Sequence, residues 1–294
     1  MNKEGRKKYF SSLKSKFNPK IKYWLEVVSE RQKTILNSFN PVYINIKDYN
    51  LSFDKIEFIN NISSFLYKGK VGRKLDKIVY YKKIPLAYLQ YSSPVLNKKI
   101  NDFLKEKFKK YNFNQLNDWV VELSICVPFG FLTKYLTGKL AIFIAMSKEL
   151  IEEWNNLFNC DIKVLFTTSI YGKSSMYNRV RNLKYLGNTM GYHSALTDSQ
   201  IKEIKEKYKE VFPHRKIRIT ALSYHIIRLY DHLLKKGIKL SFTIPKLEKG
   251  VYVCDKFLPL KENIEYWYNR WFLPRRERLG TKEARNVKKI FLFD

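Results

Sequence analysis

Apolar positions along the chain switch between helical and strand periods, and the switches mark out its elements. In residues 1–40, Tyr9, Phe10, Leu13, Phe17, Trp24, Leu25, Val28, Ile35 and Leu36 recur at roughly helical spacing. They predict basic amphipathic helices broken near Pro19, whose ring does not fit a helix interior. Residues 41–75 hold a strand, PVYINI, and a helix around FDKIEFINNISSFLYKG. KIVYYKK and IPLAYLQYSSP read as two strands, followed by a helix with Val95, Leu96, Ile100, Leu104 and Phe108 on one stripe.

Residues 118–192 concentrate the unusual patterning. An apolar strand, VVELSICVPF, leads into the loop GFLTKYLTGK and a long apolar helix, LAIFIAMSKELIEEWNNLF. A second apolar strand, DIKVLFTTSIYG, then runs into a polar stretch, KSSMYNRVRNLKYLGNTMGY. A helix between two strands predicts parallel pairing through a crossover.

Beyond Gly191, LTDSQIKEIKEKYKEVF is a helix capped by Thr197 or Asp198 and ended by Pro213. KIRITALSYHIIRLYDHLLKKG predicts another, stopping at Gly237, and GIKLSFTIPKLEKGVYVCDKF is strand-like with turns. NIEYWYNRWFLPRRERLG is a helix whose Tyr266, Trp267, Tyr268, Trp271 and Phe272 cannot all face one way. ARNVKKIFLF adds a final strand. The pattern divides into a basic, mainly helical region (1–75), an α/β core (76–195) and a C-terminal α+β region (196–294) that carries the basic aromatic helix.

Charge narrows the class of partner. A net charge of +29 over 294 residues repels itself unless a polyanion screens it. With 16% aromatics, nucleic acid is the expected partner, DNA foremost, ahead of a membrane surface. Richness in Lys, Ile, Asn and Tyr is also what an AT-rich genome would encode. Three widely spaced cysteines and four histidines form no ligand set, so no metal is expected. The start, MNKEGRKKYFSSLKSKF, lacks an apolar core, and no apolar run is long enough to span a bilayer; the chain reads as cytoplasmic.

The chemistry-bearing candidates lie in two places. Thr137, Gly138 and Lys139 open the long helix, where unpaired N–H groups and the helix dipole can hold an anion such as pyrophosphate. An ordinary helix cap by Thr137 is the plainer reading. The spacing from Gly130 to Gly138 does not make a Walker loop. Past the second strand come Thr167, Thr168, Ser169, Lys173, Ser174, Ser175, Tyr177, Asn178, Arg179 and Arg181. Ligands of α/β sheets bind beyond the carboxyl ends of strands. Tyr177 and Ser169 are the catalytic candidates, Tyr177 as a general acid. Lys173, Ser174, Ser175, Asn178, Arg179, Arg181 and Lys184, with Arg275 and Arg276 of the closing helix, are the nucleic-acid candidates. A polar surface loop is the bland alternative. Glu122 with Asp161 and Lys163 makes only a weak case for nuclease chemistry.

The motifs Gly172-Lys173-Ser174-Ser175-Met176-Tyr177 and Tyr185-Leu186-Gly187-Asn188-Thr189-Met190-Gly191 resemble the signature of the DruA-type domain of Druantia anti-phage systems. LAYLQYSSPVLNKKINDFL (86–104) and KGVYVCDKFLPLKENIEYW (249–267) resemble further family segments, with Glu248-Lys249 in place of Lys-Arg. Such domains occur in antiviral defence, beside mobile elements and in phages. The resemblance implies a core similar to GNAT-type and Mom-like acyltransferases: a mixed central sheet with flanking helices, here carrying basic helical extensions at both ends. Strand 120–129, loop 130–139, helix 140–158 and strand 161–171 would then hold acetyl-CoA or another acyl donor. The GNAT loop signature Arg/Gln-x-x-Gly-x-Gly/Ala is absent; only Gly138 stands in a suitable place. Two functions follow as expectations. One is acyl-type transfer to a nucleobase, with Gly138 and Lys139 on the pyrophosphate, Tyr177 as acid, and Asn178, Arg179 and Lys184 orienting the acceptor. The other is a non-catalytic DNA-recognition subunit working with other defence or mobile-element proteins.

Overall fold

The computed structural model describes residues 3–14, 17–70, 72–192, 196–215 and 223–280. The predicted final strand at ARNVKKIFLF lies outside the described residues. Helices α1 (Lys3–Ser12) and α2 (Pro19–Thr34) precede strand β1 (Ile44–Asp48), helix α3 (Lys55–Ile62) and the hairpin β2 (Lys74–Tyr81) and β3 (Ile84–Ser92). Helix α4 (Lys98–Lys107) leads to β4 (Val120–Pro128), α5 (Thr137–Ala145), α6 (Lys148–Phe158) and β5 (Val164–Ser169). Then come β6 (Lys184–Tyr192), α7 (Asp198–Val211), α8 (Ser223–Lys235), β7 (Lys246–Cys254) and α9 (Leu260–Trp267). The last helix continues through a π turn, Tyr268–Phe272, to residue 280.

The seven strands form one mixed sheet in the order β1-β2-β3-β4-β5-β7-β6. Every pair is antiparallel except β4 with β5, which α5 and α6 connect. β1 and β7 come from the segments read as flanking regions, so those segments complete the sheet.

Neighbouring strand residues divide between the two faces, as a period of two requires. Val121, Leu123, Leu165, Tyr252 and Cys254 pack with α5, α6 and the last helix. Val120, Val164, Phe166, Val251 and Val253 pack on the opposite side with Ile100, Phe103 and Leu104 of α4. On that same side Ile78, Tyr88 and Ile125 meet Ile21 and Val28 of α2 and Phe58 and Ile59 of α3. α7 and α8 share a smaller cluster built on Ile204, Tyr208, Ile226, Tyr230 and Leu233.

Two predicted elements are corrected. The single helix over 140–158 is two helices. Met146 ends the first, and Ser147 takes an extended conformation and bridges to Leu258. The Lys148 N–H donates to the Leu258 carbonyl at 2.9 Å, so tertiary pairing interrupts an otherwise helical run. The polar stretch after β5 ends in a strand, β6, at the edge of the sheet. Among the described residues no helix is long and apolar enough to cross a membrane.

Candidate nucleic-acid interface

The parallel pair makes room for the site. β4 and β5 pair at Val120–Val164, Val121–Leu165 and Glu122–Phe166 only. β4 then bulges against β3 between Leu123 and Ile125, and the ladder ends. The Thr167 hydroxyl bridges the parting strands by donating to the Leu123 carbonyl at 2.8 Å.

The segment 170–183 folds over this gap and onto the start of α5. Gly172, at φ +75°, turns the chain sharply, a conformation that glycine adopts freely. Its carbonyl lies against Gly250 of β7, where a β-carbon would come within 2.4 Å of the oxygen. The Ser174 N–H donates to the Tyr252 hydroxyl at 2.7 Å, and the Asn178 N–H to the Ser174 carbonyl at 2.9 Å. From below, the Lys139 ammonium donates to the carbonyls of Ser175 (3.0 Å), Met176 (3.3 Å) and Asn178 (2.5 Å). Met176 rests on Gly138, where a β-carbon would lie 2.9 Å from its sulfur.

Side chains of this segment divide cleanly. Tyr177, Val180 and Leu183 are buried in the main core. Tyr177 lies edge-on to Tyr252 at 5.0 Å, and burial pushes its hydroxyl far above the usual phenol range. Lys173, Ser175, Asn178, Arg179, Arg181 and Lys184 are exposed, and Ser174 is half-buried.

The predicted site residues therefore fall into three groups. Ser169 and Tyr177, the catalytic candidates, are buried. Ser169 accepts a hydrogen bond from the Tyr171 N–H at 3.4 Å. Thr137, Gly138 and Lys139 are buried beneath the segment. Thr137 is the first helical residue; the cap position falls to Leu136 in a left-handed conformation with no side-chain cap. Burial, with Arg179 adding repulsion, lowers Lys139 to about 8. The remaining cations form the third group, exposed on the segment and half-buried at Arg275 and Arg276. Lys184 pairs with Asp255 at 3.0 Å, and Arg181 pairs with Glu262 and lies 5.3 Å from the Tyr266 ring. Arg275 donates through Nε to the Lys134 carbonyl at 3.0 Å, and Arg276 lies 5.8 Å from the Phe272 ring. Lys173 lies 5.4 Å from the Tyr185 ring, and Arg179 lies 5.8 Å from that of Trp271.

Sequence reasoning missed Gly250 and Tyr252, which fasten the segment; it took the closing helix WYNRWFLPRRER as a contact surface without singling out Trp271 and Arg270, which border the segment. A π turn resolves the crowded rings of the last helix. Pro274 has no N–H to donate, and the Leu273 N–H bonds five residues back to Tyr268. The added residue puts Trp267 and Phe272 in the core and leaves Tyr266 and Trp271 half-buried beside the segment.

Other candidates lie apart. Glu122 is buried, ion-paired with Lys70 at 3.0 Å and bonded to the Val95 N–H. Asp161 and Lys163 form an exposed pair with one another. Lys68 pairs with Asp198 and Arg73 with Asp118. Among the described residues no group of three or more His, Cys, Asp or Glu could hold a metal ion. No family model matches the chain, and no curated protein matches it.

Proposed function

We propose that this chain binds DNA, as a recognition subunit of a phage, anti-phage defence or mobile-element system, through the outer surface of residues 172–184. The carrying observation is that Lys173, Ser175, Asn178 and Arg179 are exposed on a turn that Lys139 and Tyr252 hold from beneath. Main-chain anchoring keeps these side chains poised at little further ordering cost. Neither Lys173 nor Arg179 has an ion-pair partner among the described residues, so both are available to phosphates. Fluorescence anisotropy with duplex and single-stranded oligonucleotides tests this. Binding should weaken steeply between about 50 and 200 mM salt. Absence of binding at the lower salt would refute it.

A second reading, acyl-type transfer to a nucleobase on a GNAT-like core, draws support from the single parallel pair and its parting after three residues. The residues at the start of α5 do not fit an acyl donor's pyrophosphate as they lie. The Lys139 ammonium is engaged by three carbonyls, Met176 covers Gly138, and Tyr177 is packed in the core. Millimolar acetyl-CoA is accordingly expected to leave the melting temperature unchanged, whereas a bound ligand would raise it by mass action. A clear rise, or modified nucleosides in DNA co-expressed with the protein, would restore transfer chemistry.

A further inference from the structure

We infer that Trp271, with Arg179 and Arg270 beside it, forms a phosphodiester site that seats one backbone phosphate of a DNA strand, the engaged Lys139 beneath adding its charge and not a contact. This rests on the DNA-binding reading and gives it a centre. Three cations converge on one indole: the Lys139 ammonium at 4.4 Å from the ring centroid, the Arg270 guanidinium at 5.5 Å and that of Arg179 at 5.8 Å. An indole face attracts each of them, but it cannot cancel their mutual repulsion. Glu262, on the same helix, is already engaged by Arg181. Among the described residues Arg179 and Arg270 have no ion-pair partner. An anion is what this arrangement lacks.

The backbone at Arg179 makes the assignment testable. Its φ is +58°, a conformation side chains with a β-carbon rarely adopt, and no glycine or asparagine takes the position. A glycine would avoid that strain. The Trp271 indole N–H is itself buried without a hydrogen-bond partner. A phosphate within a strand fits better than a free one. Lys173 on the same segment and Arg275 and Arg276 on the same helix supply further positive charge for the neighbouring phosphates of a strand.

The conformation gives a test that separates binding from folding. Arg179→Gly removes the guanidinium and relieves the backbone, so its melting temperature should equal or exceed that of the parent chain. Its affinity for a labelled oligonucleotide should fall about fivefold or more at moderate salt, and the salt slope by about one. Arg270→Gln should act in the same direction. DNA should quench part of the tryptophan emission, and Trp271→Phe, which keeps a ring, should abolish that part. If both arginine variants bind with parental affinity and slope, the site is wrong while the DNA reading survives. If the parent chain shows no salt-sensitive binding, the DNA reading falls and the site with it. If inorganic phosphate displaces the strand at concentrations too low to act as bulk salt, the ligand is a free anion and the proposal is overturned.

Discussion

Replacing Gly250 with alanine should destabilise the protein by about 1–3 kcal/mol and also weaken DNA binding. The new β-carbon would lie 2.4 Å from the Gly172 oxygen, 2.7 Å from its carbonyl carbon and 3.2 Å from the Lys173 nitrogen. All three are backbone atoms, so no rotamer change relieves the clash, and overpacking of this kind is expensive. Gly250 stands between Lys249 and Val251 on a strand paired on both sides, with Ser169 and with Asn188. The strand cannot retreat without breaking those ladders. The segment must lift instead, which pulls the Ser174 N–H from Tyr252 and the three carbonyls from Lys139. Gly172→Ala is the control. A β-carbon there meets nothing within 4 Å, so it costs only the strain of φ +75°, about 1 kcal/mol. Urea unfolding and anisotropy on both variants check this. Equal effects of the two would mean that the Gly172–Gly250 approach does not hold the segment down.

The sheet was readable wherever burial imposed alternation. Val120 and Val121, or Val251 through Cys254, send successive side chains into different cores, and such runs announce themselves as strands. Helix α7 was readable from its cap, since Thr197 and Gln200 form a reciprocal capping box. β6 was not, because an edge strand carrying Gly187 and Gly191 has little buried face to impose a period. The break at Ser147 depends on pairing with Leu258, a contact no local pattern encodes.

The same limit applied to the site. The exposed cations of 172–184 were visible as a dense polar run. Met176, Tyr177, Val180 and Leu183 point inward from turns, not from a helix or strand, so no periodicity marked them as packing residues. Tyr177 was read as chemistry for that reason. Trp271 stood among five aromatic residues, and only the π turn before Pro274 decides which of them face the segment.

Stability should rise as pH is raised from 7 to about 9, by about 1–2 kcal/mol, and fall only beyond about 10. Burial brings Lys14, Lys139 and Lys249 each to about 8, against an ordinary value of 10.5. Each ammonium reaches main-chain carbonyls: Lys14 that of Asn60, Lys139 those of the segment and Lys249 that of Tyr192. Below pH 8 both folded and unfolded chains carry the charge, and the folded state bears the full desolvation cost. Between 8 and 10.5 the unfolded chain still holds protons that the folded chain has released, so stability grows with pH. The gain is kept modest because Lys14 and Lys249 are only partly buried and water screens them. Cys126 and Cys254 set the upper limit. Burial pushes both thiols up, Cys254 to about 12, so above 9 the unfolded chain ionises first and the gain from the lysines is increasingly offset. Tyr49 and Tyr67, raised to about 12 mainly by burial, add to the loss beyond 10. Thermal unfolding at constant ionic strength reads this as a rise of about 2–5 °C between pH 7 and 9. A flat or falling profile in that window would contradict it. Of the three lysines, Lys139 lies under the proposed phosphate. A bound strand would favour its charged form, so DNA affinity should decline as pH climbs from 8 toward 10, and Lys139→Met should flatten that decline.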